Sequence, residues 1–306
     1  MEFGKPDSTM AYRIRRKDHG CEKAMRRIAQ EQIGKALLAI DDGASLSETV
    51  HDVRKRCKKM RALIHLMRAA FPDASAENDA FRDIAKLLAS SRDAHVTLDC
   101  FDALAGDAGR RFGAERLAAF RGSLAQDFAG ENADGEGIPD RLDQCRDLLE
   151  AARQRSRKWT LDADGWGAME DGLKRSYSRA HAAADTVRRH PDVAAWHELR
   201  RHIKYHWYHT RLLEKIAPSA MRQRARMARK LTEAIGTHHD LAVFSDRLSA
   251  MGRDVDRELA ELLAILSRRR RAMLEAKAQE MVAKLLSPSP GELVADWRSR
   301  WKRWQA

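Results

Sequence analysis

Apolar residues recur at helical spacing along almost the whole chain. Between residues 50 and 67 they are Val50, Val53, Cys57, Met60, Leu63, Ile64 and Met67, the pattern of a helix with one buried side. No segment alternates apolar and polar positions over the length of a strand. The periodicity predicts helices near 20–41, 46–70, 76–106, 111–129 and 139–159, then near 166–190, 192–216, 219–251, 254–286 and 291–304. Ser45 and Glu48 form an S-x-x-E capping box at the start of the second helix, and Phe71-Pro72 ends it. Pro191, Pro218 and SPSPG at 287–291 separate later helices. ENADGEGIP at 131–139 reads as a loop and LDADGWG at 161–167 as a linker, which divides the chain into 1–160 and 161–306.

These halves repeat each other. VHDVRKRCKKMRALIHLMR at 50 returns as WHELRRHIKYHWYHTRLLE at 196, both reading H-x-x-R-[KR]-x-x-K. LLASSRDAHVTLDCFDAL at 87 returns as LTEAIGTHHDLAVFSDRL at 231. His197 follows His51 by 146 residues and Asp240 follows Asp93 by 147, so two anchors share nearly one spacing. The expected fold is all-α: two antiparallel four-helix bundles from an internal repeat, joined by short loops.

Composition sharpens this picture. Charged residues make up 33% of the chain and aromatics 6%, and the net charge is +12. A soluble chain this basic usually has a polyanionic partner such as nucleic acid, a membrane surface or polyphosphate; a merely soluble basic surface is the alternative until the charge is located. The four cysteines are far apart and form no C-x-x-C, which excludes a zinc ribbon or redox pair and fits a reducing, cytoplasmic setting. No apolar run reaches the roughly 18 residues of a membrane span, and MEFGKPDSTMAYRIRR lacks the apolar core of a secretory signal. Met10 offers a second start.

The positive charge is concentrated on the repeated helices. Residues 50–68 hold seven Lys or Arg and two His. On a helical wheel His51, Arg54, Lys55, Lys58, Arg61 and His65 share an arc of about 120°, opposite Val53, Cys57, Met60, Ile64 and Met67. His197, Arg200, Arg201, Lys204 and Arg211 repeat that arc, opposite Leu199, Ile203 and Leu213. A solvated helix face usually mixes signs, because like charges at i and i+4 repel. Here 51 with 55, 54 with 58 and 61 with 65 are all basic, so the two stripes read as a shared anion site. His51 and His197, one turn before an Arg, fit hydrogen bonds to phosphate oxygen and titrate near pH 6.5 in the absence of perturbation.

These residues resemble the CHAD family, the conserved histidine α-helical domain, from Tyr12 to the C-terminus. YRIRRKDHGCEKAMRRIAQEQIGKAL resembles its opening segment and first helix. VHDVRKRCKKMRALIHLMR with RDAHV, and LKRSYSRAHAAADTVRRHPDVAAWHELRRHIKYHWYHTRLL with HHDLAV, resemble its two repeats. The resemblance implies two four-helix bundles about a pseudo-two-fold axis, a basic groove between them, binding of inorganic polyphosphate and association with polyphosphate granules. It carries phosphate contact to His51, Arg54, Lys55, Lys58 and Arg61, and to His197, Arg200, Arg201, Lys204 and Arg211. From the first helix of each half it adds Arg26 and Arg27, and Arg175 and Arg179. Trp207 departs from the pattern where Arg61 stands in the first repeat; Tyr208 is the alternative donor there. Some relatives carry a fused triphosphate tunnel domain, whose E-x-E-x-K signature this chain lacks.

The expectation is therefore a non-catalytic binder of polyphosphate, with no cofactor, no metal and no membrane span. A metal-dependent phosphohydrolase is the enzyme alternative, on His51-Asp52 and His239-Asp240. Nucleic-acid binding is the other, expected only non-specifically at low salt because no helix-turn-helix, zinc finger or aromatic RNA motif occurs. Asp93 and Asp240 read as salt-bridge partners that orient the basic helices. Trp297, Trp301 and Trp304, at i, i+4 and i+7, read as a stripe that caps the second bundle.

Overall fold

The computed structural model describes residues 12–42, 45–88, 93–131, 137–251 and 256–306. Eleven α-helices and no strand occur among the described residues: α1 (Cys21–Asp41), α2 (Leu46–Met67), α3 (Ala74–Leu87), α4 (Asp93–Phe112), α5 (Ala114–Glu131), α6 (Ile138–Ser156), α7 (Glu170–Arg189), α8 (Val193–Leu212), α9 (Pro218–Ala250), α10 (Arg257–Leu285) and α11 (Pro290–Gln305). The fold is all-α, as the periodicity predicts. Met10 and Arg92 lie outside the described residues.

The punctuation reads mostly as chemistry demands. Ser45 Oγ accepts from Glu48 N at 3.3 Å and caps α2. Asp192 and Ser289 cap α8 and α11 in the same way, and Pro290 opens α11 at its first position. α2 stops at Met67, a few residues before Phe71-Pro72. One expectation fails: 76–106 is not one helix but α3 and α4, and α4 runs on to Phe112. It closes at Gly113, whose φ of 75° is left-handed and suits glycine.

Packing follows chain order in part. Each of α1, α2, α3 and α6 contacts the next, and α6 returns to α1, so the four enclose apolar side chains. Gln30 Nε2 donates to Arg153 O, and the Arg155 guanidinium forks onto Glu77, tying α6 to α1 and α3. After the linker, α7 packs on α8, α8 on α9 and α9 on α10. Asp164 in the linker accepts from Cys21 N at 2.6 Å and so caps α1 across 143 residues. One core is continuous from Tyr12 to Trp301 and includes residues on both sides of the linker. α4 and α5 instead meet the C-terminal part of α9 and the start of α10 around Phe101, Phe120, Phe244 and Leu263.

All four cysteines are buried thiols. Burial pushes Cys57 up to about 12, so it behaves as a small hydrophobe. Trp297 and Trp301 are buried too; Trp297 stacks on His206 at 5.7 Å, and Trp301 meets Trp166 at 6.3 Å. The tryptophan stripe of α11 therefore faces the core.

Candidate functional site

The two basic helices, α2 and α8, pack against each other and against α7. Their apolar sides are core: Val53, Cys57, Met60, Ile64 and Met67 on α2, and Leu199, Ile203 and Leu212 on α8, are buried. Each helix then has one neighbour on either side of its basic stripe. On α2, Arg54 and Arg61 lean on α3, while Ala62 and His65 meet α8. On α8, Trp196 and Arg200 meet α9, while Tyr205 and His209 meet α2. The outward order is thus α3, α2, α8, α9, with the two stripes in the centre.

The stripes are anchored by matched contacts. Arg54 Nη1 donates to the Leu88 carbonyl at 2.5 Å, and Arg200 Nε donates to the Thr232 carbonyl at 3.0 Å. Each guanidinium is fixed on a carbonyl of the helix that follows its own or of that helix's C-terminal cap. Arg200 can lie there because Gly236 has no side chain; a β-carbon would sit 2.9 Å from Nη2. Asp52 pairs with Lys55 and Arg56, and Glu198, its counterpart 146 residues on, pairs with Arg201 and His202. Each histidine of the motif is followed by an acid that reaches the side chains three and four positions on, and its pairing with Lys55 and Arg56, or with Arg201, lowers self-repulsion. His51 lies at the surface, Lys58 and Lys204 are half-buried on their stripes, and Arg61 Nε donates to Asn78 Oδ1 at 3.1 Å.

Trp207 has a different task from the Arg it replaces. Its ring stacks on Tyr208, and the Arg211 guanidinium lies over it at 5.6 Å and near Tyr12 at 6.0 Å. The cation missing at 207 is supplied one turn later on an aromatic platform. Tyr208 is buried against Tyr12, not presented as a surface donor. Tyr12 itself donates to the Lys59 carbonyl at 2.7 Å and joins α2 to α8.

At the junction, His209 Nε2–H donates to the Ala62 carbonyl at 2.9 Å, and the His65 and Tyr205 rings meet edge to face at 4.5 Å. Burial, then His209 and the cations Arg61, Arg68 and Arg179, push His65 down to about 3. His65 is therefore neutral at physiological pH, chiefly because it is buried. His197 lies 5.0 Å from His239; desolvation, His239 and Arg200 hold it below the ordinary histidine range. Both imidazoles gain charge only at lower pH than an unperturbed histidine.

The remaining expected residues divide. Arg179 of α7 belongs to the junction through its effect on His65 and His202. Arg175, one turn earlier, is exposed. Arg27 is tied to the segment before α1 and to its own helix: Asp18 accepts from Nε at 2.6 Å and from Nη2 at 2.8 Å, the Arg13 carbonyl also accepts from Nη2, and Glu31 from Nη1. Arg26 Nε donates to the Trp159 carbonyl, and its Nη2 pairs with Glu22. Arg26 thus joins α1 to a segment 133 residues away, whereas the partners of Arg27 lie within 14 residues of it. Asp240 does not brace α8; it lines a cavity of about 620 Å³ with Asp99, Cys100 and Arg269 between α4, α9 and α10. Sequence reasoning missed Arg68, His202 and Tyr205 near the junction, Asn78 on α3, and both carbonyl anchors.

Among the described residues no group of three or more His, Cys, Asp or Glu side chains is placed to hold a metal ion, and no helix is long and apolar enough to cross a membrane. No curated protein matches the chain. A solved structure, PptA from Streptomyces chartreusis, is similar in fold at 16% identity, with a TM-score of 0.60 over 87% of this chain and 99% of that one. The CHAD domain model matches residues 27–249, which include both basic helices and both carbonyl-anchored arginines. This chain belongs to the CHAD family.

Proposed function

We propose that the chain binds inorganic polyphosphate and does not turn it over. The observation that carries this reading is the contact of α2 with α8, each presenting a cationic stripe with one arginine fixed on a backbone carbonyl. Polyphosphate is a flexible chain charged at every unit. Forked guanidinium bonds, lysine charges and release of counterions suit it, and it offers no bases to stack. The stripes form the two sides of one groove. His51, Arg54, Lys55, Lys58 and Arg61 contact phosphate from α2, and His197, Arg200, Arg201, Lys204 and Arg211 from α8. Arg175 and Arg179 extend the groove along α7. Arg201 exchanges an exposed carboxylate for phosphate, a step that costs little because such pairs are weak. In the cell the same binding would recruit the protein to polyphosphate granules in the cytoplasm.

The arrangement of the His-Asp pairs favours binding over hydrolysis. The Asp52 carboxylate is taken by Lys55 and Arg56, while His239 turns to His197 and Asp240 lines the cavity beside α4. Neither pair converges on one point, as a hydrolytic metal site requires. The test is calorimetry with long-chain polyphosphate, ATP and duplex DNA at about 150 mM salt, where surface electrostatics is well screened. Polyphosphate should bind far more tightly than the other two. Equal or tighter DNA binding, or metal-stimulated phosphate release by the pure protein, would overturn the proposal.

A further inference from the structure

The outer side of α9 carries charge that the paired stripes do not account for. Arg222, Arg226, Arg229, Lys230 and Glu233 fall within about 100° of the helix circumference, opposite the buried Met221, Ala228, Leu231 and Ile235. Four cations and one acid therefore look outward. Arg229 pairs with Glu233 and Arg222 with Glu214, both exposed ion pairs that an anion can open at little cost. Arg226 and Lys230 are exposed and make no ion pair among the described residues. Helix α9 lies directly beside α8, and the seam between them is Arg200, anchored on Thr232 and seated over Gly236. Neighbouring helices that share a core have contiguous outer sides, so the α8 stripe runs into the α9 cations without a break.

The helix on the other flank is different. The exposed positions of α3 include Asp79, Arg82 and Asp83, and Arg82 is shared between the two carboxylates at 2.8 and 3.0 Å. That side is locally neutralised. A polyanion lying over α2 and α8 thus meets balanced charge on its α3 side and unbalanced positive charge on its α9 side.

We infer that α9, through Arg226, Arg229 and Lys230 with Arg222, is a further polyphosphate-binding surface, so that a chain longer than the central stripes leaves the site in one direction. This inference rests on the proposed function and adds to it a path and a chain-length preference. Short polymers are satisfied by the stripes. Longer ones gain contacts on α9 as linked, effectively intramolecular events.

The test is Arg226→Ala/Lys230→Ala, titrated with polyphosphate of about 10 and about 100 units, the contrast that separates local from linked contacts. Affinity for the long polymer should fall about tenfold, and its logarithmic salt slope should flatten by about one to two, while the short polymer binds as before. Arg226→Lys/Lys230→Arg should restore long-chain binding, because charge and not shape is required. Arg82→Ala on α3 should change neither length. Equal losses for both lengths, or none for either, would overturn the inference. So would a loss confined to duplex DNA, which would assign α9 to nucleic acid. Failure of the wild-type protein to bind either length refutes the proposed function itself, an outcome distinct from all of these.

Discussion

Gly172 of α7 lies so close to Leu66 of α2 that a β-carbon on it would be 2.1 Å from the Leu66 carbonyl oxygen and 2.6 Å from that of His65. Both obstacles are backbone, so no side chain can turn aside. Gly172→Ala must push α7 away from α2 at the junction of the stripes. A cost of about 3 kcal/mol is expected, in the range of overpacked cores, although alanine favours the helix. Thermal melting would check it; an unchanged midpoint would mean that the helices are not this close.

Gly236→Ala should behave in the opposite way. The nearest atoms its β-carbon would meet are those of the Arg200 guanidinium, at 2.9 to 3.4 Å, the far end of a long side chain that can shift if its bond to the Thr232 carbonyl is given up. The helix gains about 1 kcal/mol from alanine, and the lost bond to Thr232 O removes about the same. Stability should stay nearly constant while polyphosphate affinity falls several-fold. Retained affinity would show that the seat of Arg200 is irrelevant to binding.

The two stripes should act as one site. Lys58→Ala/Arg61→Ala and Lys204→Ala/Arg211→Ala should each lower long-chain affinity by about 100-fold and short-chain affinity by much less, because the second contact is intramolecular. The alternative is two independent sites. In that case each variant would halve the stoichiometry in calorimetry and leave the remaining affinity intact.

Acid should destabilise the fold well above the carboxylate range. Burial pushes His209 from 6.5 down to about 4 and holds His206 well below its ordinary value. Their folded pKa values are lowered, so the unfolded chain binds more protons below about pH 6.5, and stability falls as pH drops from there toward 4. Each group contributes about 1.4 kcal/mol per pH unit in that window. Asp18, Asp52 and Glu198 are lowered carboxylates and act later, as pH falls through their own range. Denaturant midpoints of the wild type and His209→Gln between pH 7 and 4.5 would test this; the variant should show a shallower slope.

Helices with one apolar side were legible because periodicity is local. The stripes on α2 and α8 were legible because the cations share one turn spacing and recur 146 residues later. What could not be read is what each guanidinium touches. Arg27 and Arg54 look alike in sequence, yet one is tied to the Asp18 carboxylate and the other leans on the Leu88 carbonyl. Those partners are set by how helices meet. The packing of α4 and α5 on α9 and α10 escaped for the same reason, since their apolar sides do not name their neighbours. The cations of α9 were visible as RQRARMARK at 222–230, but that run lacks the histidine motif, and Arg224 within it is buried on Tyr177 and His206.

Under the proposed function, Arg54 and Arg200, held by carbonyls before any ligand arrives, have a kinetic consequence for polyphosphate binding. Little side-chain freedom remains for them to lose, so most of the ordering on association falls on the polymer. Every unit of that polymer is identical. Fixed cations therefore define many equivalent registers along one chain, separated by single-unit steps. A bound chain can creep through these registers without leaving, and its degeneracy favours the complex as length grows. Such a receptor holds its ligand firmly in space while leaving it unlocked in sequence, as a guide ring holds a rope.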